Sequence, residues 1–238
     1  MSRPIFEFNE STPLSGVLLQ PKSGIAKSVV IFVHGYGADG SDLIGLGQNW
    51  QSNLPNTLFI APNAPDRCAT NPQGYEWFPI SKLTPQELDF GVLKAAPLFN
   101  TFIDYVLEKT DVDAPNTFLV GFSQGTMMSL HVGLRYRDAL GGIIGYSGAL
   151  ALPEQLPKQI THRIPVLLVH GDADAVVPVF MLHAAVKSLK KAGVQPSVHV
   201  CPGLSHGIDQ AGSQIGNRRL EHLVSLKRCD DMKGPEPC

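Results

Sequence analysis

The sequence has little charge. Only 17% of its 238 residues are Asp, Glu, Lys or Arg, and the formal net charge is −2. Adjacent basic pairs such as Lys190-Lys191 and Arg218-Arg219 are few, whereas a nucleic-acid-binding surface needs many cations to neutralise phosphates. We therefore expect no nucleic-acid partner. With 43% hydrophobic residues, the composition is that of a folded globular protein.

Cysteines and long apolar runs are scarce as well. The 4 cysteines lack the paired spacing of a zinc site and the density of a disulfide scaffold, so we expect reduced thiols in a cytoplasmic protein. The longest apolar runs, at 29–33 and 166–169, have the length of strands and fall far short of the roughly 20 residues that span a bilayer. The first ten residues include acidic side chains where a signal peptide needs an apolar core. We expect neither export nor stable membrane insertion.

Strand-like and helix-like segments alternate along the chain. Short β-branched runs closed by Gly or Pro predict strands at 28–34, 57–60, 117–121, 142–146, 165–170 and 197–201. Longer segments with helical spacing predict helices at 42–51, 86–109, 124–135, 179–192 and 208–228. This order predicts one α/β domain over 1–238, with a mostly parallel central sheet and helices on both faces. Active sites in such sheets lie at the carboxyl ends of the strands.

Some segments depart from this pattern. Pro97 is expected to kink the long second helix or to divide it into two. The 62–85 segment is rich in Pro, Asn and Gly yet carries aromatic rings such as Trp77 and Phe78. It is predicted either to fold over a ligand site or to be a long loop pinned to the body by its rings. The 230–238 segment combines Gly, Pro and charge, which predicts a flexible tail.

A nucleophile motif lies at a predicted strand-to-helix junction. Gly121-Phe-Ser123-Gln-Gly125 fits the pattern G-x-S-x-G between the third predicted strand and the third predicted helix. Such a turn strains the serine backbone, and it needs glycine on either side because side chains there would collide with the neighbouring strand and helix. It also puts the Gln124 N–H at a helix N-terminus, which favours a developing oxyanion. The alternative is a Gly-Ser turn without chemistry.

A serine hydroxyl becomes nucleophilic only beside a base that is itself held in orientation. His206 is the predicted base, because its loop follows the last strand and precedes the last helix. His34 and His170 end strands just before Gly and are predicted to be structural. Of the two aspartates after the fifth strand, Asp174 is favoured because it lies farther out on the loop and completes the expected order Ser, Asp, His. Asp172 could instead satisfy amides of the turn.

The loop after the first strand is expected to supply a second oxyanion donor. Its sequence is Val33-His-Gly-Tyr-Gly-Ala-Asp-Gly40, in which the glycines permit close backbone approach. It lacks the Walker lysine pattern and the G-x-G-x-x-G spacing of a nucleotide site. The sequence also has no H-E-x-x-H motif, which disfavours a metal-dependent hydrolase. We therefore predict no metal ligands and no cofactor.

Together these motifs resemble the phospholipase/carboxylesterase family of the α/β-hydrolase superfamily, which includes bacterial carboxylesterases and acyl-protein thioesterases. The likeness runs almost end to end and also rests on Ala61-Pro62, Trp77-Phe78, Ser147-Gly148, Val177-Pro178 and Ser205-His-Gly207. Many relatives carry leucine at the position of Tyr36 and proline at that of Ala175. A backbone donor tolerates the first difference, and the second changes the rigidity of a turn.

The resemblance implies an α/β-hydrolase fold with specific roles for several residues. Ser123, Asp174 and His206 would form the catalytic triad, and the backbone N–H groups of Tyr36 and Gln124 would form the oxyanion hole. The family also implies an acyl groove and, in many members, a homodimer. The side chains expected to line the groove here are Trp77, Phe78, Leu150 and Val176.

The sequence thus predicts a serine carboxylesterase that cleaves short- to medium-chain esters, lysophospholipids included, through an acyl-enzyme on Ser123. A small-molecule ester is the expected partner. An acyl-protein thioesterase would use the same triad, and a catalytically silent relative could bind an acyl ligand without cleaving it. A dienelactone-type hydrolase is less favoured, since it would be expected to carry cysteine at the position of Ser123.

Overall fold

The computed structural model describes residues 5–232, and in 227–232 it describes the backbone alone. The strands are β1 (Gly16–Leu19), β2 (Ser28–Val33), β3 (Thr57–Pro62), β4 (Asp66–Arg67), β5 (Tyr75–Glu76), β6 (Thr117–Phe122), β7 (Gly142–Tyr146), β8 (Val166–Gly171) and β9 (Ser197–Cys201). The α-helices are α1 (Gly40–Trp50), α2 (Pro85–Thr110), α3 (Gln124–Gly133), α4 (Leu156–Gln159), α5 (Phe180–Lys191) and α6 (Gln210–Met232). A 3-10 helix, Ala114–Asn116, precedes β6.

One seven-stranded sheet forms the centre of the molecule, in the order β1-β3-β2-β6-β7-β8-β9. Every neighbouring pair in it is parallel except β1 with β3, which is antiparallel. The carboxyl ends of the parallel strands therefore meet at one edge of the sheet. The mostly parallel sheet predicted from the sequence is confirmed.

Two apolar layers cover the sheet. In β2, Val29, Ile31 and Val33 face a core completed by α2, α3 and α5, whereas Val30 and Phe32 face a core completed by α1 and α6. The alternation follows from the strand geometry, in which successive side chains point to opposite faces. Because both faces are covered, all residues of β2 are buried and its sequence is continuously apolar.

Three short strands were not predicted. β1 is a four-residue edge strand of mixed exposure, and only one of its apolar residues, Val17, is β-branched, which weakens the strand signal. β4 and β5 have two residues each and pair as an antiparallel hairpin inside the 62–85 segment. Elements of this length have no periodicity to detect.

Of the two expectations for Pro97, the division into two helices is wrong, because α2 runs unbroken from Pro85 to Thr110, and the kink stays a prediction. Its start is fixed by a capping box between Thr84 and Glu87. Pro97 removes one N–H from the helix, but both Pro97 and Leu93, whose carbonyl loses that partner, are exposed. Water can therefore take the place of the missing hydrogen bond.

The last helix extends farther than predicted. α6 continues to Met232, so positions 230–232 of the predicted tail are helical, and 233–238 lie outside the described residues. None of the helices within 5–232 combines the length and the hydropathy that crossing a bilayer requires.

Candidate active site

Ser123 occupies a strained turn between β6 and α3. It follows the last residue of β6 and precedes the first of α3, with φ 54° and ψ −116°. A positive φ is uncommon outside glycine and costs on the order of 1–3 kcal/mol. Its N–H donates to the carbonyl of Tyr146 on β7 at 2.9 Å, which helps to hold the turn. The strand-turn-helix placement expected from the motif is present.

The glycines on either side of Ser123 are required by close backbone contacts. A Cβ atom on Gly121 would lie 2.5 Å from the carbonyl oxygen of Gly125. A Cβ atom on Gly125 would lie 1.8 Å from the carbonyl oxygen of Val33, at the end of β2. Both distances are far below van der Waals contact, so α3 can pack this closely on β6 and β2 only with glycine at these positions.

His206 connects Ser123 to Asp174. It lies in the loop between β9 and α6, where its Nε2 is 3.0 Å from Oγ of Ser123 and its Nδ1 is 2.8 Å from Oδ2 of Asp174. A carboxylate can only accept, so Nδ1 carries the proton and Nε2 presents its lone pair to the serine hydroxyl. The three side chains that the sequence singled out are thus brought together at the carboxyl edge of the sheet.

Asp174 is held as a buried carboxylate. Its side chain is fully buried, and its Oδ1 accepts hydrogen bonds from the N–H groups of Val176 and Val177 at 2.9 and 2.8 Å. Burial acts to raise the pKa of Asp174, but the hydrogen bonds from His206 and from these two amides outweigh it and hold the pKa below its usual value. The carboxyl is therefore ionised at neutral pH.

Asp172 has a different environment from Asp174. It is exposed, and its Oδ1 accepts from the N–H of Gly203 at 2.6 Å, which ties the β8 loop to the loop after β9. This is the turn-binding role that the sequence offered as its alternative. Only Asp174, of the two aspartates, contacts His206.

The loop after β2 lies directly against the nucleophile turn. A Cβ atom on Gly35 would be 3.4 Å from Cβ of Ser123. The N–H of Tyr36 is part of the peptide bond that joins Gly35 to Tyr36, and the N–H of Gln124 lies at the start of α3. Among residues 5–232, no backbone carbonyl accepts a hydrogen bond from either N–H. Both donors are free to bind another acceptor near Ser123.

The 62–85 segment packs on that loop through the unpredicted hairpin. The N–H of Gly37 donates to the carbonyl of Tyr75 at 2.9 Å, and the N–H of Tyr75 donates to the carbonyl of Ala38 at 2.8 Å. Asn71 adds a side-chain hydrogen bond to the carbonyl of Gly37 at 2.8 Å. The hairpin therefore extends the hydrogen-bonded structure beside the candidate oxyanion hole.

The aromatic rings of this segment point inward. Trp77 and Phe78 are buried in the core that faces α2, and the indole N–H of Trp77 donates to the carbonyl of His34 at 3.1 Å. Their burial favours the anchoring interpretation of the segment. Their predicted role in lining an acyl groove stays a prediction.

The other two predicted groove residues differ in exposure. Leu150 is buried and lines a cavity of about 450 Å³ between α2 and α5, with mostly apolar walls that include Ala149, Ala151 and Met181. Val176, two residues beyond Asp174, is 58% exposed and is not among the residues lining that cavity.

Sequence reasoning missed the contacts that two strand-end histidines make with the site. His170 is buried, and its Nε2 lies 2.7 Å from the carbonyl oxygen of Val177 and 3.4 Å from Oδ2 of Asp174. His34 is buried at the start of the loop after β2, which also holds Tyr36, the residue expected to supply an oxyanion donor. The sequence feature that could have indicated these contacts is the position of both histidines at the carboxyl ends of parallel strands, where active sites of such sheets lie.

Comparison with protein families gives a match over most of the chain. The model of a family described as Phospholipase/Carboxylesterase matches residues 16–222. Acyl-protein thioesterase 1 of Schizosaccharomyces pombe is 33% identical over 184 residues, which cover 74% of this chain and 81% of that protein. Esterase YpfH of Escherichia coli is 26% identical over 214 residues, which cover 89% of this chain and 90% of that protein.

Comparison with solved structures gives the same kind of neighbour. The crystal structure of esterase PE8 superposes with a TM-score of 0.86 at 42% identity, and the match covers 88% of this chain and 99% of that chain.

Proposed function

The chain belongs to the phospholipase/carboxylesterase family of ester hydrolases, and we propose that it cleaves short- to medium-chain carboxylic esters through an acyl-enzyme on Ser123. The observation that carries this proposal is the chain of contacts from Asp174 through His206 to Oγ of Ser123. These residues come from three separate loops, and a turn without chemistry would not need a histidine and a carboxylate aligned on a strained serine.

The geometry supports a two-step reaction. His206 Nε2 takes the hydroxyl proton as Oγ of Ser123 attacks the ester carbonyl carbon, and the carbonyl oxygen becomes an oxyanion. His206 then gives that proton to the departing alkoxide oxygen as its bond to carbon breaks, which leaves the acyl group on Ser123. A water molecule, deprotonated by His206, attacks the acyl carbon and releases the carboxylic acid. The proton on His206 finally returns to Oγ.

The oxyanion of each step would be bound by the N–H groups of Tyr36 and Gln124. Their place beside Ser123 and the lack of a backbone acceptor for either within residues 5–232 support this role. The Gln124 N–H also lies at the positive end of the α3 dipole. Asp174 would hold the imidazole in one tautomer and stabilise the imidazolium without taking its proton.

The acyl chain would extend into the cavity between α2 and α5. A Cβ atom on Gly148 would lie 2.9 Å from the carbonyl oxygen of Ser123, so the 149–151 segment leads from the nucleophile turn into the cavity wall. The apolar walls favour an acyl chain over a polar group. Because relatives are named acyl-protein thioesterases, hydrolysis of long-chain thioesters is the second candidate, and the cavity is the feature that favours it.

The decisive experiment is hydrolysis of p-nitrophenyl esters of graded chain length by the wild type and Ser123→Ala, together with labelling by a fluorophosphonate. We expect turnover and labelling for the wild type and neither for the variant. A wild type that is inert and unlabelled would favour the silent acyl-binding alternative. Activity that falls steeply beyond short esters would reject the long-chain thioesterase.

A pair of exposed positions on α5 tests the cavity. Ala184 lines the cavity and His183 does not, so Ala184→Trp should shift the preference toward shorter esters while His183→Trp leaves it unchanged. An identical chain-length profile for both variants would place the acyl chain elsewhere.

The cytoplasmic location and the homodimer stay predictions. Sedimentation of the purified protein would decide whether it forms a homodimer.

A further inference from the structure

His34 lies at the end of β2, next to the peptide whose N–H is the proposed oxyanion donor. It is fully buried, and neither the triad nor the acyl cavity uses it. Both of its ring nitrogens are engaged by backbone groups. Nδ1 is 2.7 Å from the carbonyl oxygen of Gly35, and Nε2 is 2.9 Å from the backbone nitrogen of Ala64.

These two partners determine the tautomer of the ring. The N–H of Ala64 can only donate, so Nε2 of His34 must be the accepting, unprotonated nitrogen. Nδ1 then carries the proton and donates it to the carbonyl of Gly35. If both ring nitrogens were protonated, the Nε2–H of His34 would face the N–H of Ala64, and two donors cannot form a hydrogen bond. Burial also lowers the pKa of His34 below its ordinary value. The ring is therefore a neutral donor of fixed orientation.

The carbonyl of Gly35 and the N–H of Tyr36 belong to the same peptide group. A peptide is planar and trans, so its C=O and N–H point in opposite directions, and holding one fixes the other. The flanking glycine permits rotation of this peptide at little steric cost, because it has no Cβ. Without an anchor on the carbonyl, the N–H could turn away from Ser123, which lies beside Gly35.

We propose that His34 is a positioning residue, whose Nδ1–H holds the Gly35–Tyr36 peptide so that the Tyr36 N–H points at the substrate oxyanion. The proposal rests on the proposed function, since it assigns the orientation of a donor in the oxyanion hole. A weaker backbone contact, from the N–H of Ala38 to the same carbonyl at 3.3 Å, completes the anchor.

Two isosteric variants separate this role from simple packing. The amide nitrogen of Asn overlies Nδ1 of histidine, so His34→Asn keeps the donor to Gly35 and loses the acceptor for Ala64. The amide oxygen of Gln can overlie Nε2, so His34→Gln keeps the acceptor and loses the donor. Each variant removes one buried hydrogen bond, so the two should be destabilised to a similar degree.

The measurements are kcat and KM for a short p-nitrophenyl ester and the inhibition constant of a trifluoromethyl ketone, whose serine adduct carries the oxyanion. We expect His34→Gln to lose about 100-fold in kcat with KM nearly unchanged, as when an oxyanion donor is removed. Its inhibition constant should rise in proportion, whereas His34→Asn should stay much closer to the wild type. His131→Asn and His131→Gln, which change a buried histidine of α3, should leave kcat unchanged.

Equal losses of kcat in the two His34 variants, in proportion to their losses of stability, would overturn the proposal. If neither variant folds, ring nitrogen NMR of the wild type decides: a proton on Nδ1 supports the proposal, and a proton on Nε2 alone overturns it. Failure of the proposed function looks different, because the wild type would then be inert or Ser123→Ala would retain activity.

Discussion

The side chain of Gln124 fastens the Trp77–Phe78 segment to the nucleophile turn. Its Oε1 accepts from the N–H of Trp77 at 2.9 Å and its Nε2 donates to the carbonyl of Phe78 at 2.7 Å. Gln124 is fully buried. One residue thus has two separate tasks, because its backbone N–H is the proposed oxyanion donor while its amide satisfies two backbone groups of a long loop.

Gln124→Leu is expected to destabilise the protein by about 2–5 kcal/mol, because it leaves a buried N–H and a buried carbonyl without partners. Unfolding in urea measures the change. Gln155→Leu is the control, since Gln155 is exposed and its amide oxygen accepts a hydrogen bond from Gln159, which is exposed as well; it should change stability by less than about 0.5 kcal/mol. Equal stability of the two variants would contradict the anchoring role of Gln124.

The two aspartates of the β8 loop offer a matched pair for catalysis. Asp174→Asn should lower kcat on the order of 10⁴-fold, because an amide can turn its NH₂ to the ring and favour the wrong tautomer of His206. Asp172→Asn keeps an oxygen for the N–H of Gly203 and should leave kcat nearly unchanged. Steady-state kinetics on one p-nitrophenyl ester measures both, and a large loss in Asp172→Asn would reverse the assignment.

Sequence reasoning was sufficient where a strong local pattern coincided with the tertiary structure. β7 and β9 were predicted to the residue because a turn sequence, Ser147-Gly148 or Pro202-Gly203, directly follows each run. The residues of the triad could be singled out because the motif, the strand ends and the chain order agree. Asp174 needed the order of the residues as well, since its local sequence alone does not distinguish it from Asp172.

The rest of the site depends on contacts that no local pattern encodes. The hairpin of β4 and β5 is held by hydrogen bonds to Gly37 and Ala38, distant in sequence, rather than by its own propensity. The contact of His170 with Asp174 depends on how the loop after β8 folds back. The unbroken α2 depends on which side of the helix Pro97 occupies, and that follows from packing.

Two glycines are expected to respond in opposite ways to alanine. Gly125→Ala puts a methyl group 1.8 Å from the carbonyl oxygen of Val33, so we expect a loss above about 4 kcal/mol or no folded protein. Gly45 lies in α1, where an added methyl group would have no atom within 4 Å apart from its chain neighbours and the nearby backbone of its own helix, so Gly45→Ala should gain about 0.5–1 kcal/mol from helix propensity. Thermal unfolding of the pair checks both, and a tolerated Gly125→Ala would contradict the close packing of α3 on β2.

His131 is expected to make the stability depend on pH below neutrality. It is buried in α3, and burial together with the nearby charge of Arg135 lowers its pKa to about 4, from an ordinary value of 6.5. Between these two values the unfolded chain binds a proton that the folded chain does not. The contribution of His131 to the free energy of unfolding is therefore complete above about pH 6.5 and is lost as the pH falls toward 4.

The size of this effect follows from the shift. Each pKa unit corresponds to about 1.4 kcal/mol, so the loss between pH 6.5 and 4 is on the order of 3 kcal/mol. Glutamine at position 131 does not titrate, so the free energy of unfolding of His131→Gln should fall less than that of the wild type over this range. Urea unfolding of both proteins at a series of pH values measures the difference. Parallel curves would mean that His131 takes up its proton equally in the folded and unfolded chains, and the acid sensitivity would then have to come from another buried group, of which His34 is the first candidate.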